Sequence, residues 1–245
     1  MGMKLLIDAD IYAYRALSAT EDETEWSDGV WSLTTDHPAA LKLFQNELMK
    51  FLDMFDTQDY ILCFSDKENF RKHLNPTYKS GRKKSRKPLG YVTFVQRLQQ
   101  DMPHMVKPTL EADDVLGILA TMPGNVGKCI VISDDKDLKT IPCKLYRPGA
   151  EERLDVTEAE ADRWFLTQTL TGDATDGYSG CPSIGPKKAE AVLGKHPSWS
   201  SVVAAFKKQG LTEDDALLQA RMARILRHSD WDLKQQQPIL WEPST

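Results

Sequence analysis

The chain has 245 residues, 41% of them hydrophobic and 27% charged, long enough to bury a core as one large domain or two small ones. No apolar run approaches the roughly 20 residues of a membrane span, the start MGMKLLID is too short for a signal sequence, and Leu6 stands where a myristoylation signal at Gly2 wants Ser or Thr. A soluble monomer free of membrane is expected, in the cytoplasm, or that of a host if the gene is viral. A net charge of −5 speaks weakly against nucleic acid, but residues 71–87, RKHLNPTYKSGRKKSRK, hold eight Lys or Arg and no acid. The pattern is an acidic body carrying one concentrated basic segment.

Residues 4–7, KLLI, read as a short apolar strand ending in Asp8, followed by a loop rich in acids and tryptophan. Pro38, after Asp36, marks a helix start, and Leu41, Phe44, Leu48, Phe51, Leu52 and Phe55 continue with a helical period. Residues 60–64 form a second strand ending at Ser65 and Asp66, and Val92, Val95 and Leu98 mark a helix beyond the basic segment. Glu111 opens a helix through Ala120, and residues 128–132 form a third strand ending at Ser133 and Asp134. From about Thr157 the pattern turns all-helical: TEAE is a capping start for residues 157–170, and further helices run to His228 before an extended tail, QQQPILWEPST. Cys63, Cys129, Cys143 and Cys181 are far apart with no CxxC pair, and two of them sit in apolar strand runs. Reduced core thiols are expected rather than zinc ligands or disulfides.

Strands alternating with helices predict an α/β fold with a mostly parallel central sheet flanked by helices. Residues 1–156 would form this core, with the basic segment inside it, and residues 157–245 a helical region packed on it. Ligands of such sheets bind beyond the carboxyl ends of the strands, and each of the three strongest strand candidates runs into aspartate: LLID, CFSD and VISDD. The further acids are Asp10; Glu111, Asp113 and Asp114 in LEADDVLG; Asp137; and Asp173 and Asp176 in TGDATD. Glu111 and Asp114 share a helical face at i,i+3, which turns Asp113 away. Acids favour a first helical turn, but three beside VLGILA would be costly without a counter-charge. A hard divalent cation that takes oxygen ligands and keeps waters, magnesium above all, relieves that cost. The five histidines stand elsewhere, so zinc fits poorly. Two such ions side by side suit phosphodiester cleavage, one activating water and the other stabilising the leaving oxygen.

SIGPKKAEAVL then adds a tight turn at Ile184 and Gly185, Pro186 at a helix N1 position, and Lys187 and Lys188 in the first turn. The N–H groups at such a helix start make a phosphate site. With the preceding helix, this stretch reads as a helix–hairpin–helix, a grip on the duplex backbone indifferent to sequence.

In this light LLIDAD, CFSDKENFRKHLNPTYKSGR, LEADDVLG, ISDDKDL and TGDATDGYSGCPSIGPKKA, in this order, resemble the 5′-nuclease (flap endonuclease) family, over residues 5 to about 193. The resemblance implies a PIN-like nuclease core with a helix–hairpin–helix. It also implies 5′-3′ exonuclease or flap endonuclease activity on DNA with a free 5′ end, a 5′ flap or a branch, and extends to RNA–DNA hybrids. It implies two magnesium ions, replaceable by manganese, and a potassium ion at the hairpin backbone. By the same resemblance Asp8, Asp66, Asp113, Asp114 and Asp135, with Glu111 alongside, hold or support one ion, and Asp137, Asp173 and Asp176 support the second. Lys79, Asp8, Asp114 and Asp135 are the catalytic expectation. Lys79 contacts the scissile phosphate, and Arg71 and Arg82 bind phosphate. Tyr78, Lys83, Lys84, Arg86 and Lys87 join them in a basic arch that the resemblance implies at about 70–98, over the active site, and Ile184, Gly185, Lys187 and Lys188 hold the duplex. Ser183 replaces the first hairpin glycine of the family, Ala9 its glycine after the first aspartate, and Asp134 a neutral residue. Rival readings are a catalytically weak DNA-structure-binding protein of the same fold, a haloacid-dehalogenase-like phosphatase suggested by LLIDAD and GDATD, and a PIN-type ribonuclease. The phosphatase has no use for the clustered cations or SIGPKK, and the ribonuclease normally lacks the hairpin.

Overall fold

The computed structural model describes residues 2–81 and 86–243. In chain order its elements are β1 (Lys4–Asp8), α1 (Ala9–Ser18), β2 (Glu21–Ser27), β3 (Val30–Thr35), α2 (His37–Met54), β4 (Tyr60–Cys63), α3 (Arg71–Leu74), α4 (Tyr91–Asp101), β5 (His104–Met105) and α5 (Ala112–Ala120). There follow β6 (Cys129–Ile132), β7 (Lys144–Arg147), β8 (Glu152–Asp155), α6 (Glu158–Thr171), α7 (Pro186–Leu193), α8 (Trp199–Lys208), α9 (Glu213–Ala223), β9 (Trp231–Asp232) and β10 (Gln237–Pro238). The central sheet has the order β5-β4-β1-β6-β7-β8, parallel except for the last pair. This is the expected mostly parallel α/β sheet flanked by helices.

The period of two in a strand decides where the core lies. Leu5 and Ile7 of β1 enter one apolar cluster with Tyr12 and Leu17 of α1, Phe44 and Phe51 of α2, and Phe94 and Leu98 of α4. Leu6, between them, enters a second cluster on the other face, with Val115, Leu116 and Leu119 of α5 and Leu226 and Trp231 of the C-terminal segment. A third cluster joins Phe165 and Leu170 of α6 to Leu193, Phe206 and Ala220 of the following helices. All four cysteines are free, and Cys63, Cys129 and Cys181 are buried. Among the described residues no helix is long and apolar enough to cross a membrane.

The stretch after β1 departs from the expected loop. Residues 9–18 form α1, whose buried face is largely alanine (Ala9, Ala13, Ala16, with Tyr12 and Leu17), so its periodicity is faint in sequence. Residues 21–35 form an antiparallel hairpin turned by Asp28 and Gly29, the latter at φ 75°, where glycine is favoured. Three short strands, β5, β7 and β8, were also not foreseen. Helix α4 buries Tyr91, Phe94 and Leu98, whereas Val92 is exposed. The tail is more than an extended strip: β9 and β10 pair, and Trp241 packs edge-on against Phe165 and Trp199. The starts expected for α2 and α6 do form. Asp36 accepts from the Ala39 N–H, and Thr157 and Glu160 complete a capping box.

Candidate active site

Strands β4, β1 and β6 lie side by side and parallel, so Asp8, Asp66 and the Asp134–Asp135 pair emerge at one edge of the sheet. Ser133 ties two of these ends together. Its hydroxyl donates to Asp8 Oδ2 at 2.7 Å and accepts the Asp135 N–H at 3.1 Å. No sequence pattern singled out Ser133; its place between β6 and the acids in VISDD was the available signal. Asp8 is 3% exposed, and burial, with Asp10 and Asp135 nearby, pushes its carboxyl up to about 7. Burial likewise holds the Asp113 carboxyl well above the usual range, with Asp135 and Asp8 adding repulsion. Asp137 is pushed to about 6 by burial and by Asp135, with smaller contributions from Asp173 and Asp176. Its Oδ1 is buried without a hydrogen-bond partner among the described residues.

Opposite these acids stands the foot of the basic segment. Lys79 has φ 53°, and its backbone N–H donates to the Asp176 carbonyl at 2.7 Å. Its ammonium pairs with Glu111 Oε1 and lies 3.6 Å from Asp176 Oδ2. The Tyr78 hydroxyl donates to Glu111 Oε2 at 2.8 Å and reaches Asp176 Oδ2 at 3.3 Å. Burial alone would raise the Glu111 carboxyl, but Lys79 and Arg71 outweigh it and hold it at about 2. One narrow cleft is lined by Lys79, Tyr78, Glu111, Asp113, Asp135, Asp137 and Asp176. Asp173 closes the loop behind it, where its carbonyl and N–H bridge to Tyr178 and its Oδ1 accepts the N–H groups of Thr175 and Asp176. That loop needs its glycines: Gly172 and Gly180 both have positive φ, and a Cβ on either would stand 2.3 Å from the opposite backbone.

Several expected site residues have other partners. Asp113, expected to turn away, faces the cleft, whereas Asp114 is fully buried against Arg71, at 2.7 and 2.8 Å. Spacing fixed their relative directions, but the rotation of α5 was set by its packing. Asp66 is spent on the backbone, accepting Lys67 N–H at 2.7 Å and Thr109 N–H at 2.8 Å. Asp10 accepts from Ser65 N–H and the Tyr91 hydroxyl, and Asp134 pairs with Arg15 and accepts Gly149 N–H. Arg71 and Tyr78 line the cleft but are only 3% and 4% exposed, each held by carboxylates beneath it. Arg86 grips Glu21 of the β2–β3 hairpin at 2.7 and 3.1 Å, and the Lys87 ammonium lies 4.4 Å over the Tyr91 ring. Arg82, Lys83 and Lys84 lie outside the described residues.

The second motif has the expected local form. Gly185 is the N-cap of α7, Pro186 its first residue, and Lys187 and Lys188 are exposed in its first turn. Ile184 is half-buried against the third cluster. Ser183 adopts φ 61°, the left-handed region that glycine favours, and its carbonyl accepts the Lys188 ammonium at 2.9 Å.

Comparison with known proteins agrees with this arrangement. Residues 3–161 match the family described as 5′-3′ exonuclease, N-terminal resolvase-like domain. The chain is 32% identical to the exonuclease of Escherichia phage T7 over 279 aligned positions, covering 98% of this chain and 93% of that protein. It is 30% identical to the flap endonuclease Xni of Shewanella oneidensis, over 65% of this chain and 66% of the relative. The fold superposes on the bacteriophage T5 flap endonuclease, solved with DNA and metal ions, at a TM-score of 0.70 and 12% identity, covering 90% of this chain and 88% of that one. An acid-lined cleft at the carboxyl edge of a parallel sheet, and likeness along nearly the whole chain to a phage exonuclease, place this protein in the 5′-3′ exonuclease family.

Proposed function

We propose that this protein is a metal-dependent nuclease that hydrolyses phosphodiester bonds near the 5′ end of DNA, taking free 5′ ends, flaps or branches. The observation that carries the reading is the set of acids gathered at the sheet edge whose carboxyls burial and mutual repulsion raise: buried Asp8 and half-buried Asp113 and Asp137, with Asp137 Oδ1 lacking a hydrogen-bond partner among the described residues. Among the described residues no three acids, histidines or cysteines are close enough to form a closed metal centre. The carboxylates ring the cleft instead, an all-oxygen donor set that suits hydrated hard cations such as magnesium or manganese. Asp8, Asp113, Asp135 and Asp137 would hold such ions from the sheet side, and Asp173 and Asp176 from the loop after α6. Bound there, the metal supplies an activated water and neutralises charge on the leaving oxygen.

The chain's own groups do the rest. Lys79, beside Glu111 and Asp176, brings a positive charge to the acids and would meet charge developing on the scissile phosphate. The start of α7 presents backbone N–H groups, Lys187 and Lys188 to the duplex backbone. Loop 172–185 carries both Asp176 and that start, so it fixes the distance between the held duplex and the cut. This answers to the Gly- and Lys-containing turn that follows two acids in sequence. A potassium ion at this turn would compete with the Lys188 ammonium for the Ser183 carbonyl.

The test is cleavage of 5′-labelled DNA carrying a 5′ overhang or flap. Short labelled products are expected with magnesium or manganese and none in excess chelator. Calcium is expected to support binding without turnover, because its looser geometry misplaces the water. Full activity in chelator, or release of inorganic phosphate alone, would overturn the reading.

A further inference from the structure

We propose that Arg71 and Asp114 form a buried positioning pair that locks the segment after α9 onto the acid-bearing helix α5, and that Asp114 is not a metal ligand. The inference rests on the nuclease reading above and assigns this pair its part in it. Every acceptor site of Asp114 is filled. Oδ1 accepts Arg71 Nη2 at 2.8 Å and the Leu226 N–H at 3.1 Å, and Oδ2 accepts Arg71 Nη1 at 2.7 Å and the Glu111 N–H at 3.2 Å. A carboxylate offers about four such sites, which leaves none for a cation. Arg71 in turn donates from Nε to the Met222 carbonyl at 3.2 Å and from Nη2 to the Arg224 carbonyl, and stacks 4.6 Å from the Phe70 ring centre.

The contacts along α5 form a line. Asp114 takes Leu226 N–H; at Gly117 the Leu226 carbonyl comes so close that a Cβ would stand 2.4 Å from it; and Thr121 Oγ1 accepts the His228 N–H at 2.7 Å. Positions 114, 117 and 121 share one helical face. Segment 222–228 therefore sets the rotation of α5 about its axis, and Asp113, one residue away, is turned into the cleft. The other end of the pair is equally placed. Arg71 heads α3, which leads to Tyr78 and Lys79 on Glu111. One buried pair thus orients an acid and the cleft's lysine and ties both to the helical region.

The variants are Asp113→Asn, Asp114→Asn, Arg71→Met and the double Arg71→Met/Asp114→Leu. Removing one member of a buried pair is costly, whereas replacing both by apolar side chains is often neutral, so the double variant guards against a single one that fails to fold. Manganese binding is read without activity, from the paramagnetic signal of free Mn2+. Asp113→Asn is expected to bind at least about tenfold more weakly than the parent, and Asp114→Asn and the double variant, which keep that ligand, clearly more tightly than Asp113→Asn. Cleavage at saturating Mn2+ and enzyme should fall to the same degree in Asp114→Asn, Arg71→Met and the double variant, because the two residues act as one unit. The proposal is overturned if the Asp114 variants lose Mn2+ affinity as Asp113→Asn does, if they cleave at the parent rate, or if the two single losses multiply. Parent-strength Mn2+ binding by Asp113→Asn would instead sink the metal-site reading, a separable result.

Discussion

Lys79 shows how one residue can satisfy two opposed demands. Burial alone would drive its ammonium towards the neutral form, but Glu111 and Asp176 raise its pKa above the usual range, so the charge persists inside the cleft. On the proposed reading, a cation already desolvated and aimed at the acids would stabilise a transition state rather than attract DNA. Lys79→Ala should therefore lower kcat by on the order of a hundredfold with a modest change in DNA affinity. Single-turnover cleavage at saturating enzyme checks this: the rate should stay low, and full recovery at saturation would make Lys79 a binding residue. Tyr78 and Arg71, which line the same cleft, are held for the same electrostatic reason: each finds a carboxylate that water alone would have to solvate.

Helix α7 couples an apolar anchor to an exposed, basic first turn. It has only eight residues, but it begins with Pro186 after Gly185, and its first turn exposes Lys187 and Lys188 while Ala189 and Leu193 anchor it to the third cluster. The helix is therefore held by its apolar face and free to offer its start to phosphate. Replacing Lys187 and Lys188 together by alanine should weaken duplex binding and flatten the dependence of log K on log salt by up to about 2. Affinity measured across a salt series checks it, on one duplex and on a scrambled duplex of the same shape. An unchanged slope removes these lysines from the interface, and a marked preference for one sequence argues against a backbone grip.

Across the whole molecule, three apolar clusters hold the parts together, and the acids gather where the sheet meets the helical region. Burial and mutual repulsion raise the Asp8 and Asp113 carboxyls, which opposes folding with both ionised, and a divalent ion that binds only the folded chain should offset it. Adding Mn2+ at about a hundredfold over its Kd should stabilise the protein by about 2.7 kcal/mol, a rise in melting temperature of roughly 5–10 °C for a chain of this size. Thermal melting in chelator and in Mn2+ checks this, and equal melting temperatures would show that these acids do not bind the ion.

Much of this was legible in the sequence because it is written in short-range chemistry. Strands that run into aspartate, the Glu111 helix start, the capping box at Thr157 and the proline start of α7 depend on neighbours within a few residues, and all stand in the structure. Helix α1 was missed because alanine, although helix-favouring, makes a weak apolar signal. The direction of the acids was decided only by the tertiary structure. Spacing along α5 says that Asp113 and Asp114 point apart; it does not say which one meets the cleft. Arg71, 43 positions away, and a segment more than a hundred residues on decide that by claiming Asp114. Sequence determines which charges exist and in what order; only packing determines which of them find a partner, because the cost of a buried charge depends on the groups folded against it.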